Sequence, residues 1–199
     1  MLYTILRGIC KIIALIIFRV KVTNADNFNK TNGRCIICCN HISMIDPVLI
    51  ACFVKRKINF MGKKELFDVP ILKNILKGVG VFPVDRTGVS LSAIKYAISL
   101  LKEDKVLGIF PEGTRVKEYN EENAKSGVSM IANMSNSLIV PVFIRSKFKL
   151  FSKVEIIFGE PTNYFESIEG KITSEHHTEI GKQILRDIYS LESKLNKRE

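Results

Sequence analysis

Six short apolar runs recur along the chain, at residues 34–39, 58–61, 79–84, 106–110, 138–144 and 154–158, with helix-period segments between them. No other feature constrains the fold as tightly. Short apolar runs bounded by polar turns are the pattern of strands buried on both faces. Residues 47–54 suit a helix with Asp46 as N-cap and Pro47 in its first turn. Residues 70–77 suit a second, ending at Gly78 as C-cap. In residues 91–102, Leu91, Ile94, Ile98 and Leu101 share a face and Ser90 precedes them as cap. Residues 123–136 form a less regular helical pattern, and residues 175–195 align Ile180, Ile184, Ile188, Leu191 and Leu195. Strands alternating with helices predict a single α/β domain, with a mostly buried central sheet flanked by helices. A chain of 199 residues, 46% of them hydrophobic, can bury such a core. It contains neither low-complexity segments nor internal repeats, so disorder is expected only at the ends, including the Glu- and Lys-rich tail after Leu191.

The first residues, MLYTILRGICKIIALIIFRV, are apolar and carry cations without acids. No small-residue cleavage site follows, which sets them apart from a signal peptide. The uncharged run at residues 12–18 falls short of the about 20 residues a spanning helix needs. On a helix Arg7 and Lys11 lie one turn apart, and Arg19 falls about 80° from Lys11. A narrow basic stripe on a wide apolar face is the pattern of a helix lying in a membrane interface. Packing on the core and a true span are the alternatives. The expected organisation is an N-terminal amphipathic, membrane-associating helix in residues 1–24 and one globular domain in residues 25–199.

Thirty Lys and Arg stand against 20 Asp and Glu, a net charge of +10 that favours a polyanionic partner. The excess gathers in residues 1–25, 47–64 and 144–153, each free of acids and interleaved with Ile, Val and Phe. A nucleic-acid binder would show a basic motif helix or stacking aromatics on a sheet, and the chain has neither. The patch at Lys55, Arg56 and Lys57 suits anionic lipid, an acidic protein or a solvated face. Cys35, Cys38 and Cys39 share one apolar run near His41, but zinc needs a fourth ligand and a loop, and this run reads as a strand. Three clustered thiols and an odd total of five fit a reducing compartment without disulfides.

Three loops follow three of the strands: NHISMID, DRTG and PEGTR. In open α/β sheets, ligands bind where strands deliver loops at one edge. His41 and Asp46 would diverge on a continuous helix. If a tight turn separates them they meet. The carboxylate then fixes the imidazole tautomer and leaves Nε2 to take a proton from a substrate alcohol. The other reading makes Asp46 only a cap and His41 a polar loop residue. Gly113 permits a sharp turn, Arg115 offers a planar fork for phosphate oxygens, and Glu112 suits the hydroxyls of a polyol. A structural turn with a Glu112–Arg115 pair is the alternative. Arg86 in VDRTG repeats the pattern, a surface turn being the simpler reading. His176 and His177 are expected to face solvent.

Together these loops resemble the glycerolipid acyltransferase family, in particular bacterial lysophosphatidic acid acyltransferases. Asn40, His41, Ser43 and Asp46 match its first block, Asn-His-x-Ser-x-x-Asp, which contains the HX4D motif. GVFPVDR, FPEGTR and IVPVFI match the second to fourth blocks in family order, and GKKELF resembles the segment between the first two. Two positions depart: Val116 stands where Ser is frequent and Ala124 where an aromatic is common, and both bear on acceptor choice. The resemblance implies a glycerol-3-phosphate acyltransferase-like fold and an acyltransferase domain in residues 25–199. It implies transfer of an acyl chain from acyl carrier protein or coenzyme A thioester to the sn-2 hydroxyl of lysophosphatidic acid, giving phosphatidic acid. The alternatives are another lysolipid acceptor and a silent membrane-binding relative. By the same resemblance His41 is the general base and Asp46 its orienting partner. Lys63, Arg86 and Arg115 hold the phosphate, and Glu112, Gly113 and Thr114 complete the substrate site, the first two positioning the glycerol. Backbone amides near Ser43 or Gly113 are candidate oxyanion donors. No metal or prosthetic group is required, and the expected place is the cytoplasmic face of the cell membrane, on anionic lipid, peripheral or monotopic.

Overall fold

The computed structural model describes residues 2–85 and 91–196. Arg86 and Ser90, and with them the expected phosphate contact and helix cap, lie outside that set. In chain order the elements are α1 (Leu2–Ile17), β1 (Arg19–Thr23), α2 (Ala25–Asn29), β2 (Cys35–Cys39), α3 (Asp46–Cys52), β3 (Ile58–Lys63) and α4 (Pro70–Val79). They continue with β4 (Phe82–Val84), α5 (Leu91–Lys102), β5 (Val106–Ile109), α6 (Gly127–Ser135), β6 (Leu138–Ser146), β7 (Lys153–Phe158) and α7 (Ser174–Asn196). The strands form one sheet in the order β1-β7-β6-β2-β5-β3-β4. β2 is parallel to β5 and β6, and β3 is parallel to β5 and β4. β7 runs antiparallel to β6, and β1 parallel to β7. The chain is thus the α/β domain its apolar runs predict, a central sheet between helical layers.

β2 lies in the middle of the sheet and all five of its residues are buried. Cys35, Ile37 and Cys39 pack with Ala14, Leu49 and Ile50 on the side of α1 and α3. Ile36 and Cys38 pack with α5, α6 and α7 on the other. The pleat therefore puts Cys38 across the sheet from Cys35 and Cys39, and the three thiols share no site.

Several boundaries differ from expectation, each for a local reason. Arg19–Thr23 is not helix or connector but an edge strand, whose Val and Lys alternate between half-buried and exposed positions. Charges on an edge strand discourage pairing with another chain. α4 runs past Gly78 and stops at Gly80, whose φ of +89° closes the helix with Gly80 N donating to Lys77 O and Val81 N to Leu76 O. Gly78 instead lets α1 come close: a Cβ there would lie 2.6 Å from Leu2 Cδ2. α6 begins only at Gly127: Glu121–Asn123 form a short 3-10 turn, Ala124 is extended, and Lys125 N donates to Pro111 O rather than back into a helix. α7 continues to Asn196 and buries Leu195, so the tail is not frayed at that point. Within α7, His177 Nδ1 lies 2.8 Å from the buried Ser129 Oγ, tying α7 to α6 rather than facing solvent.

The basic stripe of α1 turns inward. Arg7 Nη1 donates to Val54 O and Lys55 O, just past the C-terminal end of α3, and Lys11 lies over the Phe53 ring. Arg19 is off the helix and donates through Nε to Phe151 O. Leu2, Ile5, Ile9, Ile12, Ile13 and Ile16 occupy the outward face, with Ile16 67% exposed. Part of the Lys55–Lys57 patch is likewise bonded to the chain's own backbone: Arg56 donates to Thr31 O and Gly33 O, and the exposed Lys57 to Gly78 O.

Candidate active site

β2, β5 and β3 are neighbours and parallel, so the residues after β2, those after β5 and the end of β3 meet at one edge of the sheet. Asn40 sets the first loop. Its Nδ2 donates to Ile144 O and its Oδ1 accepts from Ile144 N, continuing the β2–β6 pairing one residue further through a side chain. The chain then turns sharply, and Asp46 enters α3 as its first residue, with Ile45 at the N-cap position. Asp46 does not cap α3. Its Oδ2 accepts from Ile42 N at 2.8 Å and Ser43 N at 2.7 Å, and lies 2.9 Å from His41 Nδ1. An ionised carboxylate only accepts, so Nδ1 carries the hydrogen and Nε2 presents its lone pair. Among the described residues no hydrogen-bond partner takes Nε2. The tight turn therefore makes the pair that a helix would have kept apart.

His41 is held from three further sides. Its ring stacks on Phe110, centroids 4.1 Å apart and planes 21° apart, and Phe110 stacks on Phe60. Its backbone N–H donates to Glu112 Oε2 at 2.7 Å, and its carbonyl accepts from Val116 N at 2.8 Å. Both backbone groups of His41 are thus committed to the segment after β5. Glu112 is 2% exposed, and its other oxygen accepts from Tyr189 Oη of α7 at 2.8 Å. Burial pushes the Glu112 carboxyl above the usual range, while the Tyr189 hydroxyl and the His41 amide pull it down. A carboxylate so enclosed does not offer the contact expected with acceptor hydroxyls, nor does it pair with Arg115.

Gly113 turns the chain with φ +70° and donates to Phe110 O. A Cβ there would have room, 3.5 Å from Lys125 Cγ, so conformation rather than space asks for glycine. The amides of Ile42, Ser43 and Gly113 are all engaged, so the oxyanion donors sought near Ser43 and Gly113 are not these three. Thr114 and Arg115 follow, both exposed, and Arg115 makes no ion pair among the described residues. Lys63 ends β3 at the same edge, with Nζ 3.2 Å from Glu65 Oε1 in an exposed pair. Burial pushes the Cys39 thiol well up, which makes it a poor nucleophile.

Two contributors escape the sequence pattern. Tyr189 sits among the aliphatic residues of α7 and gives no sign of reaching Glu112. Lys125 stands beside Gly113 only because its backbone bonds to Pro111.

Comparison with known proteins agrees with this arrangement. The acyltransferase family profile matches residues 19–145, which contain every residue of the site except Tyr189. A protein of Bacillus subtilis (strain 168) named 1-acyl-sn-glycerol-3-phosphate acyltransferase is 35% identical over 185 residues, covering 89% of this chain and 90% of its own length. A Streptococcus pneumoniae protein of the same name is 34% identical over 172 residues, covering 81% of this chain and 62% of its own length. The crystal structure of the 1-acyl-sn-glycerophosphate (LPA) acyltransferase PlsC from Thermotoga maritima superposes with a TM-score of 0.71 at 21% identity, covering 96% of this chain and 79% of that one, which establishes a shared fold. A matching profile over most of the domain and a relative aligned almost end to end place this chain in the acyltransferase family.

Proposed function

We propose that the protein transfers an acyl chain from a thioester to the sn-2 hydroxyl of lysophosphatidic acid, yielding phosphatidic acid. The contact of His41 Nδ1 with Asp46 Oδ2 at 2.9 Å carries this reading, because it leaves Nε2 poised as a base. Nε2 takes the proton of the acceptor hydroxyl as its oxygen attacks the thioester carbonyl. Asp46 stabilises the imidazolium formed. The tetrahedral adduct then collapses, the C–S bond breaks, and the imidazolium returns the proton to the leaving sulfur, giving ester and thiol. No protein nucleophile enters. Arg115, planar and without an ion pair among the described residues, suits the acceptor phosphate, with Lys63 as a second cation and Arg86 as a third. Glu112 acts here through His41, by fixing its backbone, rather than on the glycerol.

The acyl donor is an acyl carrier protein or coenzyme A thioester, and no prosthetic group takes part. The chain works at the cytoplasmic face of a membrane, peripheral or monotopic. No helix among the described residues is long and apolar enough to cross one. The outward face of α1 is a row of aliphatic side chains, well suited to lie among lipid acyl chains.

The test is thiol release from a long-chain acyl thioester in lipid, with and without lysophosphatidic acid, for wild type and His41→Ala. Acceptor-dependent release that falls by about 10²- to 10⁴-fold in the variant is expected. Release without acceptor would make the protein a thioesterase. Release only with a different lysolipid would move the reading to that acceptor, in keeping with Val116 at the rim.

A further inference from the structure

The hairpin between β6 and β7 has no part in the site just described, yet its shape is unusual. Residues 147–152, KFKLFS, contain two aromatic residues in the left-handed region, Phe148 with φ +48° and Phe151 with φ +59°. Bulky side chains seldom adopt that conformation unless their surroundings impose it. Here hydrogen bonds impose it throughout the loop. Phe148 N donates to Ser146 Oγ, Lys149 N to Ser152 Oγ and Ser152 N to Lys149 O. Phe151 N donates to Ile17 O at 2.7 Å, and Phe151 O accepts from Arg19 Nε at 3.0 Å.

The outcome sorts the side chains. Phe148 turns inward and meets Phe18 edge-on at 6.0 Å. Leu150 and Phe151 turn outward, 68% and 62% exposed. A loop held in a strained form in order to expose two large apolar groups gains nothing in water. Lys147 and Lys149 precede them and are exposed without an acidic partner among the described residues. The bonds to Ile17 and Arg19 join the loop to the end of α1, where Ile12, Ile13, Leu15 and Ile16 are exposed. The loop also follows β6, which is parallel to β2, so it stands at the sheet edge that carries His41.

We propose that residues 147–152 are a second membrane-contacting element, seating Leu150 and Phe151 among acyl chains while Lys147 and Lys149 meet anionic headgroups. The proposal rests on the membrane reading of α1 and extends it. Apolar tips flanked by lysines fit a bilayer, whose surface offers both chemistries at adjacent depths. They fit an acidic donor protein less well, because such a protein would cover the lysines but gain little from two projecting apolar side chains. α1 alone would leave the rotation of the domain about the helix axis open. A second contact at the catalytic edge turns His41 toward an acceptor anchored in the same bilayer.

The chain has no tryptophan, so Phe151→Trp introduces a single reporter and keeps an aromatic residue at this position. With vesicles of phosphatidylglycerol and phosphatidylcholine its emission should shift to the blue and be quenched by brominated acyl chains. In parallel, Leu150→Ser combined with Phe151→Ser should weaken vesicle binding by about tenfold or more, as expected for losing two inserted side chains. Thiol release with a water-soluble short-chain acceptor should stay at the wild-type rate, which also shows that the fold is intact. Wild-type vesicle binding with no blue shift and no loss in the double variant would overturn the proposal and leave the membrane reading of α1 standing. Wild type that binds no vesicles would overturn both. Unchanged vesicle binding with activity lost only on carrier-protein-linked donor would identify the loop as a donor-protein surface instead.

Discussion

Asp46 concentrates three donors on one oxygen, while its Oδ1 is buried without a partner among the described residues. That asymmetry separates its two duties. The Ile42 and Ser43 amides need an acceptor, and a neutral amide oxygen serves them almost as well as a carboxylate. On the proposed mechanism, the imidazolium formed during transfer needs a negative charge, which only the carboxylate supplies. Asp46→Asn can place its carbonyl oxygen where Oδ2 lies and its NH2 group at the position of Oδ1. We expect it to cost about 1–3 kcal/mol in stability, the range for weakening a buried polar group. The turnover number should fall far more, by about 10²- to 10⁴-fold. A melting curve set beside thiol release checks both figures. A loss of activity no larger than the loss of folded protein would reduce Asp46 to a loop-closing residue. The sequence makes His41 and Asp46 candidates through their spacing before a proline, but it does not say that the aspartate bonds back across the turn instead of capping α3. That choice depends on where β2 ends, which Asn40 decides by binding Ile144 across a gap of 104 residues.

Elements meet the site through single side chains whose direction is hidden in one-dimensional patterns. Periodicity locates α1, α5 and α7 because long helices repeat their apolar face several times. It misses β1, whose five residues alternate too briefly to stand out from the helix before them. It also leaves undecided which way the basic stripe of α1 faces. Arg7 bonds the carbonyls past the end of α3, where the helix dipole favours a cation, and the apolar face is thereby left outward. Tyr189 is the same problem on α7: one hydroxyl in an apolar stripe, bonded to Glu112 and flanked by Tyr119 and Phe143. Tyr189→Phe keeps the ring packing and removes the bond, so thiol release should drop several-fold as the His41 backbone loosens, with the acceptor KM little changed. The variant also has a pH signature. Burial raises the Glu112 carboxyl, so over a window above the ordinary carboxylate range the folded chain holds a proton that the unfolded chain has released. Stability therefore declines as pH rises through that window. The Tyr189 hydroxyl lowers the Glu112 pKa, so removing it should move the end of the decline to higher pH. Melting temperatures across mildly acidic to neutral pH report the shift; superimposable profiles would confine Tyr189 to packing.

At the scale of the whole molecule, one sheet divides the labour. Its helix-covered faces hold two cores, and the edge where β2, β5 and β3 end gathers the polar chemistry. The order of the four blocks announces this edge from sequence. The bonds that fuse the blocks, His41 N to Glu112 and Val116 N to His41 O, span more than 70 residues and follow only from strand order. The membrane side is legible in composition but not in geometry, because the cations that suggest an interfacial helix are the ones that pin it to the domain. What remains outward on α1 is almost purely aliphatic, so on the proposed membrane reading its affinity for lipid would come from apolar burial and not from its own charges. This distinction yields a test. Replacing Ile9, Ile12 and Ile16 with Asp should abolish binding to vesicles and slow transfer to long-chain lysophosphatidic acid presented in them. Transfer to a short-chain acceptor in solution should persist, because all three side chains are exposed on the outward face of α1. Arg7→Gln should act in the opposite sense, loosening α1 from α3 while leaving its lipid-facing surface unchanged. If high salt released the wild type from vesicles as thoroughly as the three aspartates do, charge rather than the aliphatic row would be the main attachment, and Lys147 and Lys149 rather than α1 would carry it.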